Sequence, residues 1–242
     1  MARFFLSPEA WGAQARLTGD EAKHGAQVLR LRAGERVTVF DGRGRSAGAE
    51  IVEVTKSEIR LELGEAVLRP LPQPEICLAQ AVPKGKTMDL VVQKAVELGV
   101  TTIQPLITRH TVVQVDGDDA PRKSAKWQRV ALEACKQCGQ DLLPEVLPVR
   151  EFADWLPGAG GDLKIMGSLF EGARSLREIL RGAEVPRRVI LLVGPEGDFA
   201  AAEAAAAVEA GFLPASLGPI VLRAETAAIF AISSVRYEFM PR

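Results

Sequence analysis

Histidine, cysteine and tyrosine are scarce in this 242-residue chain, which holds two, three and one of them. Two histidines leave little from which to build a hydrolytic triad or a histidine-rich metal centre. Three cysteines are an odd set with no room for a disulfide framework, the usage expected in a reducing cytosol. No apolar run approaches the ~18 residues that mark a membrane span. The start, MARFFLSPEAW, lacks the long apolar stretch of a signal peptide, so a cytoplasmic location without membrane attachment is expected. An excess of one charge is missing too: 30 Lys and Arg stand against 31 Asp and Glu, a net of −1. Any nucleic-acid-binding face must therefore be local. No complete P-loop, Gly-x-Ser-x-Gly or His-Glu-x-x-His motif is present.

What is there is an ordinary globular balance, 47% hydrophobic and 25% charged. At ~100–200 residues per domain the length allows one or two domains. The first stretch is β-rich. Residues 36–41 (RVTVFD), 46–54 and 58–63 read as strands, after a short helix at about 19–29 with Val28 and Leu29 turned inward. Prolines 70, 72 and 74 then stiffen the chain, which places a boundary between a module at 1–70 and a domain at 75–242. Beyond residue 75 strands alternate with helices. Strands are predicted at 76–82, 101–107, 162–167, 187–194 and within 213–223. Helices are predicted at 86–99, 123–138, near 174–181, 200–211 and 225–240. That alternation implies an α/β fold, a mostly parallel sheet covered on both faces.

Two motifs dissolve on inspection. Gly42-Arg43-Gly44-Arg45-Ser46-Ala47 matches the letters of a dinucleotide fingerprint, but strands lie on both sides of it, so it reads as a hairpin turn. Cys135 and Cys138 form C-x-x-C inside an amphipathic helix. Cys77, His24 and His110, the spare zinc ligands, are distant in sequence, so two small buried thiols and no metal are expected.

Two segments near the C-terminus stand apart. In LLVGPEGDF (191–199) a buried strand stops at Gly194, turns, and leads to a helix near Phe199 that Asp198 is placed to cap. In LGPIVLRAETAA (217–228) an apolar run leads into a helix, with Arg223 just before it and Glu225 and Thr226 at its start. Each alone is a plain joint between elements. Loops beyond the carboxyl ends of parallel strands are also where ligands bind.

The pairing of these two segments resembles the SPOUT-type methyltransferases, whose chains form a trefoil knot. More closely, the chain is similar to the bacterial ribosomal RNA small subunit methyltransferase E family. The resemblance extends to ARFF (2–5), HGAQVLRLRAGERVTVFDGRG (24–44), PKGKTMDLVVQKAVELGVTTIQPL (83–106) and EACKQCGQDLLPEV (133–146). The chain departs from the family pattern at Asp198, usually glycine, and at Gln140, often arginine. The resemblance implies a PUA-like N-terminal β-barrel for RNA and a knotted catalytic domain working as a homodimer. It also implies transfer of a methyl group from S-adenosylmethionine to N3 of one uridine in 16S rRNA, within the small ribosomal subunit.

On that reading the cofactor lies in the loops at 192–197 and 217–227. Val193, Gly194, Leu217, Gly218, Leu222 and Ala227 suit an adenine pocket, with Leu192, Glu196, Gly197 and Thr226 beside them. Gly194, Gly197 and Gly218 permit close backbone approach. The uridine N3 proton must leave, so a base or a stabiliser of the anion is needed, and Arg223 and Glu225 are the candidates. RNA would be held through phosphates. Residues 1–45 carry eight basic and five acidic groups, and Arg3, Lys23, His24, Arg30 and Arg32 are the expected contacts there, with Lys84 and Lys86 in the catalytic domain. The rivals are the same chemistry on tRNA or another RNA, and a non-catalytic RNA-binding assembly protein on the same scaffold.

Overall fold

A computed structural model of the chain describes residues 1–113, 119–170 and 172–240. It forms two compact units, Met1–Leu71 with Leu132–Leu143, and Pro72–Ala131 with Pro144–Arg242.

The first unit is a five-stranded sheet. Its strands are β1 (Arg3–Phe5), β2 (Arg16–Thr18), β3 (Arg36–Phe40), β4 (Arg45–Val54) and β5 (Glu58–Leu68), in the order β1-β3-β4-β5-β2. The pair β1–β3 is parallel and the others are antiparallel. The core gathers Phe4, Leu17, Val37, Val39, Ile51 and Ile59, all at most 2% exposed. Gly42 and Gly44, at φ +75° and +97°, make the turn between β3 and β4 that the hairpin reading requires. β5 runs five residues past the predicted strand, because Ala66–Leu68 pair with Arg45–Ala47 across a register shift. That outer half is exposed on both faces, so it carries no alternation to read.

The helix predicted at 19–29 is present in altered form. α1 (Gly19–Lys23) runs into a π-helical turn at His24–Val28. The wider turn swings Gly25 inward, where an added Cβ would stand 2.5 Å from Ile59 Cδ1. Val28 and Leu29, expected inside, are thereby 67% and 42% exposed.

The second unit is built on a sheet of eight strands, and every pairing in it is parallel. Its elements are β6 (Glu75–Ala81), α2 (Thr87–Glu97), β7 (Thr102–Ile107), α3 (Asp119–Cys138), β8 (Glu145–Val146), β9 (Arg150–Glu151), α4 (Phe152–Trp155), β10 (Leu163–Gly167), β11 (Arg174–Ser175), α5 (Leu176–Arg181), β12 (Arg188–Val193), α6 (Ala201–Glu209), β13 (Leu213–Ser216) and α7 (Ala224–Phe239). The last residues of α3 belong to the first unit. The order is β11-β13-β10-β12-β6-β7-β8, with β9 also on β7.

β6 and β12 are apolar without alternation because both faces are covered. Cys77, Ala79, Ile190 and Leu192 join Phe152, Trp155, Ala207 and Phe212 in one core. Ile76, Leu78, Val189 and Leu191 alternate with them and are equally buried. α2 buries Met88, Val91, Val92, Ala95 and Val96, the stripe that helical spacing dictates. α7 packs on α2, α5, β6 and β12 and buries Ala228, Ala231, Ile232, Val235 and Phe239. Arg236 in α7 fixes the turn after α2, donating to the carbonyls of Leu98 (3.1 Å), Pro74 (2.8 Å) and Gly99.

Three thiols are free. Cys135 is buried, but Cys138, expected inside with it, lies exposed at the end of α3. Among the described residues no helix is long and apolar enough to cross a membrane, and no three His, Cys, Asp or Glu are grouped to hold a metal.

Candidate cofactor site

β10, β12 and β13 are neighbours in the sheet, and the loops at their carboxyl ends meet. Together with the start of α7 they enclose a cavity of about 430 Å³. That volume falls within the ~300–1,000 Å³ of small-molecule sites.

After Val193 the chain turns through Gly194–Asp198, with Asp198 N–H donating to the Pro195 carbonyl at 3.0 Å. Asp198 is at φ +56°, a conformation that glycine adopts freely and aspartate tolerates. It does not cap the next helix, as the sequence had suggested. Its carboxylate accepts from its neighbour Phe199 N–H at 2.8 Å and from Leu169 N–H at 3.4 Å, tying this loop to the one after β10. α6 begins later, at Ala201, where Glu203 accepts from the Ala200 amide at 2.9 Å. Phe199 drops into the core against Phe152.

The underside of the turn is held by Gln80, fully buried in β6. Its Nε2 donates to the Ala81 carbonyl at 2.9 Å and reaches those of Val193 and Gly194 at 3.4 Å. Gly85-Lys86-Thr87 leads into α2, but this same Gln80 stands where a P-loop would have its first glycine. Glu196 accepts from the Lys84 amide at 3.0 Å, and His110 Nδ1 lies 2.9 and 3.0 Å from the carbonyls of Gly197 and Asp198. Four connections thus fix one short loop.

The cavity brings together Val193, Gly194, Glu196, Leu217, Gly218, Leu222, Arg223 and Ala227 from the sequence-derived set. It does not bring in Leu192, which is buried in the core, nor Glu225 and Thr226 of α7. Gly197 lines a neighbouring cavity with Lys84 and His110. Gly218, at φ +139°, has nothing within 4 Å of an added Cβ, so its backbone is open. At Gly194 an added Cβ would stand 3.2 Å from both Asp198 Oδ1 and Phe199 Cε2. Arg223 is exposed, and its guanidinium makes no ion pair or hydrogen bond with Glu196, Glu225 or any other described residue.

One wall of the cavity and one support beneath it were missed. Gly167–Phe170 close one wall, and the cue was only that they follow a weak strand. Gln80 had the cue of a polar side chain inside an apolar strand.

In the first unit Lys23, His24, Arg30 and Arg32 are exposed, as are Lys84 and Lys86 in the second. Arg3, expected on the RNA face, has another role. Its guanidinium pairs at 2.6 Å with Asp141, a carboxylate with no exposure that also holds Arg69 at 3.1 Å and Ser46 Oγ at 2.9 Å. Gln140 caps the same turn, its Oε1 accepting from the amides of Asp141 and Leu142.

Comparison with known proteins identifies the family. The model of the RNA methyltransferase domain family matches residues 51–236, and that of the RNA methyltransferase PUA domain matches residues 17–64. The ribosomal RNA small subunit methyltransferase E of Aquifex aeolicus is 30% identical over 230 residues, 95% of this chain and 96% of that one. The protein of that name from Neisseria gonorrhoeae, solved bound to S-adenosyl methionine, is 33% identical with a TM-score of 0.87, covering 98% of this chain and 97% of the other. A Legionella pneumophila methyltransferase, solved with the bound cofactor SAM, is 34% identical with a TM-score of 0.89 at the same coverage. The match over most of the chain, including both glycine-bearing loops, places this protein in the RNA methyltransferase family, among the ribosomal RNA small subunit methyltransferases E.

Proposed function

We propose that the protein is an S-adenosylmethionine-dependent methyltransferase that modifies N3 of a uridine in 16S rRNA. The supporting observation is the cavity at the carboxyl ends of β10, β12 and β13, in a chain with relatives of 33–34% identity that were solved with this cofactor bound. When bound, S-adenosylmethionine supplies a methyl group on a sulfonium. The residues present fit it. Val193, Leu217 and Leu222 offer apolar walls, and Gly218 leaves its backbone bare for close contact.

Methylation at N3 requires loss of a weakly acidic proton. Arg223 is permanently charged and takes no proton; set on the cavity wall without a partner among the described residues, it stabilises the uridine anion as it forms. Glu225, two residues on in the first turn of α7 but outside the cavity lining, is the candidate acceptor. Exposed Lys23, His24, Arg30, Arg32 and Lys86 supply phosphate contacts. The same reading includes a SPOUT-type trefoil knot in the C-terminal loops, a homodimer and a cytoplasmic location, all carried by the family resemblance. The test is nucleoside mass spectrometry of 16S rRNA from cells with and without the protein. Loss of one N3-methyluridine per 16S rRNA on deletion is expected; an unchanged content would refute the assignment.

A further inference from the structure

We propose that a second cavity, of about 440 Å³ and lined by Lys84, Arg109, His110, Thr111, Glu196 and Gly197, is an anion site that grips a phosphodiester of the RNA beside the acceptor nucleotide. The proposal rests on the reading of the chain as an RNA methyltransferase and adds the place where its substrate is held.

The first argument is position. Lys84 follows β6, Arg109 and His110 follow β7, and Glu196 and Gly197 follow β12, three adjacent strands. Their loops open at the same carboxyl edge of the sheet as the cofactor cavity, and Glu196 lines both. A phosphodiester held in the second cavity would thus lie beside the first.

The second argument is preorganisation. The turn after β7 is closed by Thr111, whose Oγ1 accepts from Thr108 N–H at 2.9 Å while its own amide donates to the Thr108 carbonyl at 3.0 Å. Arg109 N–H donates to Glu203 Oε1 at 2.9 Å. Carbonyl oxygens only accept, so His110 Nδ1 carries the proton toward Gly197 and Asp198, leaving Nε2 unused. Gly197 suits this approach, since an added Cβ would lie 3.1 Å from His110 Cβ and crowd it.

The third argument is charge. The side chains of Lys84 and Arg109 are exposed and make no ion pair or hydrogen bond among the described residues. Some exposed cations are paired, as Lys126 is with Asp89 at 2.6 Å, and others such as Lys86 have no partner among the described residues; here two unpaired cations line one cavity. The one carboxylate in the lining, Glu196, is engaged by the Lys84 amide. A lysine point charge beside a guanidinium fork suits phosphate oxygens, and phosphate contacts set the register of a nucleic acid.

The test is the double variant Lys84→Ala/Arg109→Ala in the full chain. It is assayed by methyl transfer to 16S rRNA over a range of salt and by calorimetry with S-adenosylmethionine. The KM for RNA should rise at least tenfold, and the salt dependence of log KM should lose about two units, one per cation removed. The kcat at saturating RNA and the cofactor affinity should stay at wild-type values. An unchanged KM, or a shift no larger than Arg181→Ala gives at an exposed position of α5, overturns the proposal. So does lost cofactor affinity, which would assign the cations to the carboxylate of the cofactor instead. A wild-type protein that transfers no methyl group fails the parent reading, a result separate from these.

Discussion

In the proposed chemistry the charge is carried by Arg223. It precedes α7 on the wall of the cavity, with no acidic partner among the described residues. Losing a contact made only in the transition state lowers kcat, whereas losing uniform RNA binding raises KM and spares kcat. Arg223→Ala should therefore lower kcat by about tenfold or more at saturating RNA, the effect of an electrostatic contact worth ~1.4 kcal/mol or above. Arg223→Lys should fail to restore it, because the planar fork is lost. Wild-type kcat in Arg223→Ala would remove the role. The thiols give a second expectation. Burial pushes Cys77 up to about 11 and Cys135 up to about 12, from 9.0, while Cys138 is exposed. At pH 8 a thiol reagent should label one cysteine of the native protein, and Cys138→Ser should abolish that labelling. The raised values favour the folded state below pH 9.0, and this contribution falls as pH rises through 9 toward 11 and 12. Urea midpoints should accordingly drop across that window, and a flat profile would contradict the burial. Arg3 shows the limit of reading residues singly. Nothing near it in sequence announces Asp141, so its charge was counted for RNA when it belongs to a buried ion pair.

At the scale of elements, nearly every long segment was legible because its apolar pattern is set locally. β6, β7, β10, β12 and β13 and helices α2, α3, α6 and α7 lie where periodicity and the glycines at 99, 139 and 211 put them. The two- and three-residue strands β1, β2, β8, β9 and β11 were not legible, since such a strand is defined by its partner and not by its own sequence. The π-helical turn at His24–Val28 defeated the inward assignment of Val28 and Leu29 for a related reason: one extra residue per turn rotates the face. The cofactor loops were legible in outline, as glycine-bearing turns after apolar strands. Their supports were not, because Gln80, His110 and Leu169 reach them from elements far away in sequence. Arg236 is an element-scale tie of the same kind. Burial lowers its pKa, and its guanidinium holds the carbonyls that end α2. Arg236→Met should cost about 2 kcal/mol, the worth of hydrogen bonds from a charged donor to groups then left unpaired. Arg236→Lys should recover only part of it. An unchanged urea midpoint in Arg236→Met would show that these bonds add nothing.

For the whole molecule, the division at the proline-rich stretch is incomplete as a cut in sequence. Residues 132–143 return to the first unit, where Asp141 joins Arg3 and Arg69 and Lys136 pairs with Glu21. The family resemblance implies a homodimer, and exposed apolar groups suit one. Phe230 and Tyr237 on α7 and Ile220 and Val221 before it are 43%, 87%, 72% and 73% exposed. Light scattering at micromolar concentration should give twice the 26.0 kDa of the chain, and a monomer mass would refute the dimer. The central claim remains that the loops after β10, β12 and β13 hold S-adenosylmethionine. Calorimetry with the cofactor on the wild type and on Gly194→Val tests it most directly, because a valine there meets Asp198 and Phe199 and displaces the turn. The account predicts saturable binding by the wild type and at least a tenfold loss in Gly194→Val; equal affinity in the two proteins, or no binding by the wild type, would contradict it.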